Sequence, residues 1–138
     1  MRGEQGSITI WMVGLTLLIL ALGGLAIDYW RALALQRELA AVADSAVLAG
    51  ASGIDEAHYR ATGEVILDRD RAASLAARAV AAQDVALVGF VVDFAPGGVS
   101  VTVVVEAEVE LGLLRLLTGE DDPLTVSARA TAYPLRVP

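Results

Sequence analysis

From Gln5 to Ile27 the chain carries no charge, and the first ionisable residues on either side are Glu4 and Asp28. Such a run must be covered by lipid or by protein, because water does not solvate it. As a helix, Ile8 to Ile27 extends about 30 Å, the thickness of a bilayer's hydrocarbon core. A secretory signal has an apolar region of only about 7–15 residues behind a basic end. Here the run is longer and Arg2 is opposed by Glu4. The reading is a retained transmembrane helix. The competing one is a secreted protein whose leader is cut near Ala32–Ala34.

No turn follows the run. The text continues DYWRALALQRELAAVADSAVLAGA, without Pro and without Gly until Gly50. Leu35, Leu39, Val42, Ala46 and Ala49 recur at helical spacing, while Arg31, Arg37, Glu38 and Asp44 mostly take other positions. The expectation is one helix of about 40 residues, lipid-embedded first and amphipathic afterwards. Its second half needs a partner, either the domain that follows or another subunit. Gly50 and Gly53 are predicted to end it.

The remainder divides by period. Residues 51–67 read as a connecting loop with one short helical turn at Asp55–Ala61. Asp68–Gln83 is rich in helix formers with acids at its start, and Ala72, Leu75, Ala76, Ala79 and Val80 form its apolar stripe. Two strands then flank a Pro-Gly-Gly turn at 96–98. In the second, Val99, Val101, Val103, Val105, Ala107, Val109 and Leu111 share one face. Ser100, Thr102, Glu106, Glu108 and Glu110 share the other, interrupted by Val104, so one face meets a core and one meets water. Leu113–Leu117 reads as a short helix, TGEDDP as a loop, and Leu124–Tyr133 as a third strand. The predicted class is α+β: a long N-terminal helix, then a helix packed on a three-stranded, mainly antiparallel sheet. The corresponding division is a stem over 1–50, a connection over 51–67 and a small domain over 68–138.

Little in the chain supports catalysis. There is no cysteine, which removes disulfides and thiol chemistry, and a net charge of −7 argues against nucleic acid. No glycine-rich phosphate loop or nucleophile elbow is present, and no cofactor or small-molecule substrate is expected. His58, the single histidine, reads as a solvated loop side chain. Glu106, Glu108 and Glu110 line one strand face. They suit a basic partner or calcium, but a solvated face that keeps an edge from aggregating explains them more simply. In the apolar run, Gly14, Ala21 and Gly24 fall near one helical face, where small residues let membrane helices approach closely. Asp28 stands beside Tyr29, Trp30 and Arg31 as an interfacial marker or as a contact to another helix. Arg2 and the amino terminus before the run and Arg31 and Arg37 after it nearly balance, so charge does not orient the span.

The segment GSITIWMVGLTLLILALGGLAIDYWRALALQRELAAVADSAVLAGA resembles the amino-terminal part of TadE/TadG-like proteins of the Flp (tight adherence) pilus machinery. The features that carry the resemblance are Gly6-Ser7, the apolar helix closing on Gly24-Leu25-Ala26-Ile27-Asp28, Arg31 shortly after, and the Ala43-to-Ala51 block. The resemblance implies a pilin-like component without enzymatic activity. Its amino end would be cytoplasmic and its carboxyl domain extracytoplasmic, and its partners the membrane and other pilin-like subunits or Tad assembly proteins. Ile8, Trp11, Gly14, Leu18, Ala21, Gly24, Asp28, Arg31, Leu35, Leu39 and Val42 would be the membrane and assembly positions. Prepilin peptidase substrates typically carry Glu as the fifth mature residue. After Gly6 that residue is Trp11 and after Gly3 it is Ile8, which favours an accessory or initiating subunit over a bulk filament subunit. A membrane-anchored binding module of another envelope complex is the alternative.

Overall fold

The computed structural model describes residues 5–113, 116, 119 and 123–134. The uncharged run and its amphipathic continuation form one unbroken helix, α1 (Gln5–Ala51, 47 residues), about 70 Å long at 1.5 Å per residue. Gly23 and Gly24 do not interrupt it. No proline precedes Pro96, and the abundant Leu and Ala favour helix strongly enough to absorb the roughly 1 kcal/mol that a helical glycine costs.

The two glycines expected to stop the helix serve packing instead. Gly50 lies inside α1 and is buried. Gly53 lies just beyond it, and neither glycine has a positive φ. The helix ends through tight turns, with Ser52 N–H bonding Ala49 O and Gly53 N–H bonding Gly50 O. A Cβ on Gly53 would stand 2.7 Å from Ala72 Cα, backbone that has no rotamer to yield. Gly53→Ala is therefore expected to destabilise the domain by about 1–3 kcal/mol, the usual range for overpacking. A urea titration of detergent-solubilised protein reads it, and an unshifted midpoint would contradict this packing.

Residues 51–67 hold a short helix, α2 (Glu56–Thr62), capped by the Asp55 carboxylate on His58 N–H and closed by Gly63 at φ 73°. His58 thus sits on a helix rather than in a loop. Its half-buried ring lies 3.7 Å from the Glu64 carboxylate. The connection is pinned at both ends, Asp68 N–H to Gly53 O and Leu67 N–H to Gly98 O, each at 2.9 Å.

Helix α3 (Arg69–Ala81) is capped by Asp68, whose carboxylate accepts from the amides of Asp70 and Arg71. Ala72 and Ala76 are fully buried, and Leu75, Ala79 and Val80 are half-buried. Strands β1 (Gly89–Phe94), β2 (Val101–Val109) and β3 (Leu124–Ala132) form an antiparallel sheet in the order β1-β2-β3. Gly97 and Gly98 turn the chain between β1 and β2 with φ of 77° and 70°, a region open to glycine and strained for other residues. The short helix expected over Leu113–Leu117 lies partly outside the described residues, although Gly112, Leu113 and Leu116 are helical. Most of the TGEDDP loop lies outside them too.

Both helices cover one face of the sheet. Inward residues grade from Phe90, Val92 and Phe94 on β1, through Val101, Val103 and Val105 on β2, to Ala128, Ala130 and Ala132 on β3. The thick helix α1 rests on β2 and on the small residues of β3, and the alanine-rich α3 lies beside it toward β1. Leu39, Val42, Ala43, Ala46 and Val47 of α1 fill the centre.

Strand β2 also runs alongside α1. Gly50 lies against Val101, where a glycine Cβ would be 3.5 Å from Val101 Cγ1. At the other end Asp28 bonds the amides of Gly112 and Leu113. Asp28 to Gly50 is about 33 Å of helix, and Val101 to Gly112 is at most about 36 Å of extended chain. This length match brings the exit of β2 to the end of the apolar run.

Candidate functional site

The stem has two regimes on one helix. Ile8, Trp11 and Leu18 are exposed, as is every other residue from Ile8 to Leu20, with Trp11 77% accessible. Nothing lies near a Cβ placed on Gly14 or Gly23. Thr16 returns its hydroxyl to Met12 O at 2.8 Å, which hides that polar group on an otherwise apolar surface. The segment from Ile8 is long and apolar enough to cross a membrane.

One stripe then becomes covered. Ala21 and Gly24 are partly buried, Asp28 is 6% exposed, Leu35 is half-buried, and Leu39 and Val42 are buried. The spacing 21, 24, 28, 35, 39, 42 follows one helical face. Arg31 lies at the edge of this face and is exposed. Ala49, which the periodicity also placed on the stripe, is half-buried at its edge.

Asp28 marks the change between the regimes. Its Oδ1 accepts from Gly112 N–H at 3.1 Å and its Oδ2 from Leu113 N–H at 2.7 Å. These are the leading amides of the residues that leave β2, donors that otherwise lack an intrahelical acceptor. A carboxylate is the best acceptor for such a pair, since the bonds are charge-assisted and offset its desolvation. One turn earlier, the Leu113 side chain occupies the space that a Cβ on Gly24 would need. Gly24 is therefore required by a contact within the chain. From sequence Asp28 reads as an interfacial marker or a contact to another helix and Gly24 as a point of close helix approach; the fold itself uses both. Leu113 was missed as their partner. The only signal was Gly112 directly after a strand, ahead of a leucine-rich stretch.

The acidic face has a different character. Glu106, Glu108 and Glu110 are exposed. Glu106 stands opposite Ser127 and Gly89, and Glu108 opposite Thr125. A Cβ on Gly89 would lie 2.8 Å from Glu106 Oε2, so the carboxylate folds over that glycine. Arg129, opposite Val104, is the one basic residue on this sheet face among the described residues. No group of three His, Cys, Asp or Glu among the described residues is arranged to hold a metal ion. Glu120, Asp121 and Asp122 lie outside them.

Residues 6–53 match the family model described as putative Flp pilus-assembly TadE/G-like. The match begins one residue after the start of α1 and ends two residues after its last turn, so it is a match of the stem. That family is a pilus-assembly component and not an enzyme family. No curated protein and no solved structure matches the chain.

Proposed function

We propose that the protein is a pilin-like accessory component of a Flp/Tad-type pilus or a related secretion system. It is anchored by α1, with its amino terminus cytoplasmic and its α+β head outside the membrane, and it acts by assembly rather than catalysis. The observation that carries this reading is the division of α1. The TadE/G-like segment holds both a largely exposed apolar half and a half built into the core of the head. Lipid covers the first half in the membrane, and neighbouring subunits cover it in an assembled fibre. Glu106, Glu108 and Glu110 offer such neighbours an acidic face.

Deleting the gene is expected to abolish or sharply reduce surface pili, and the tagged protein is expected in the membrane fraction and in sheared filaments. A fully piliated deletion strain would overturn the proposal. A protein found in the membrane but never in filaments, with pili lost on deletion, would assign it to the assembly base.

A further inference from the structure

We propose that Gly112, Leu113 and Leu116, beyond the end of β2, lie at the lipid surface as a second membrane contact of the head. The inference rests on the membrane-anchored reading of α1. Ile8 to Ile27 matches a hydrocarbon core of about 30 Å, which puts Asp28, the first charge after it, at the edge of that layer. The amides of Gly112 and Leu113 are bonded to that carboxylate, so they lie at the same level. The Leu113 side chain reaches one turn further toward the span, onto Gly24.

Leu116 is 80% exposed and, three residues on, lies within about 11 Å of Leu113. Leu25, Ile27, Tyr29 and Trp30 of α1 are exposed at the level of Asp28, so the apolar surface of the span reaches the level of Gly112 and Leu113. Aromatic residues at this depth are typical of the membrane–water boundary. The occupant the position favours is lipid.

Single-cysteine labelling tests this on the full chain, which has no native cysteine. Leu116→Cys, Leu18→Cys and Ser127→Cys proteins, each carrying a nitrobenzoxadiazole dye, are reconstituted into phosphatidylcholine–phosphatidylglycerol vesicles containing nitroxide-labelled lipid. The dye at 116 is expected to be quenched by shallow nitroxides about threefold more than the dye at 127, as for a side chain in the headgroup–acyl boundary. Adding Asp28→Ala is expected to remove most of that difference. Strong quenching at 18 with equal weak quenching at 116 and 127 would overturn the inference and leave the anchor standing. No quenching at 18 would overturn the anchor, and the inference with it. A blue-shifted but unquenched dye at 116 would mean that a second copy covers the site, which also overturns it. Unchanged quenching on Asp28→Ala would refute the role given to the carboxylate.

Discussion

Leu39→Ala is expected to lower the stability of the head by about 3 kcal/mol, within the 2–5 kcal/mol typical of emptied leucine sites. Leu39 is fully buried at the point where α1 meets the sheet, among valines that are themselves fully buried. Strand side chains are held by their ladder and helix positions by their turns, so the cavity has little freedom to collapse. Amide hydrogen exchange of β2 in detergent micelles provides the readout. Protection of its central amides should fall by about two orders of magnitude, the equivalent of 3 kcal/mol. Leu18→Ala, the same truncation on the exposed half of the same helix, should leave β2 protection unchanged. Equal effects at both positions would contradict the division of α1.

Asp28→Ala should have the next largest effect, and a more local one. It removes two charge-assisted bonds and leaves the amides of Gly112 and Leu113 without their acceptor. A hydrogen bond to a charged group contributes about 1.5–3 kcal/mol. Because water partly replaces the lost acceptor, a net loss of about 2 kcal/mol of docking is expected rather than the sum. Exchange of the 112–113 amides should accelerate by more than tenfold while the centre of β2 stays protected. Asp28→Asn separates charge from shape. The amide side chain has one acceptor oxygen instead of two, so it retains one of the bonds and should give an intermediate rate. An alanine variant with unaltered exchange at 112–113 would refute the clasp.

Much of this was legible in the residues because it is periodic. The 3.6-residue recurrence of Leu35, Leu39, Val42 and Ala46 and the two-residue alternation from Val101 to Ala107 each specify an element and its buried face. Asp68 and Asp55 are cap residues in cap positions. What the sequence did not disclose depends on contacts far apart in the chain. Gly50 and Gly53 look like helix stops until α3 is seen against them. Asp28 looks like an interfacial acid until residues 84 and 85 positions away supply its donors. No local period encodes a bond of that span. It follows from the agreement between the length of a helix and the length of a strand.

The side-by-side run of α1 and β2 also has a mechanical meaning. A pull along the stem axis loads the interface between α1 and the sheet in shear, so the row of contacts from Leu35 to Val47 must give way together. A pull across the axis would peel the same contacts one at a time. The joint between stem and head is therefore strongest along the stem axis, the direction of load that the proposed pilin-like role would impose.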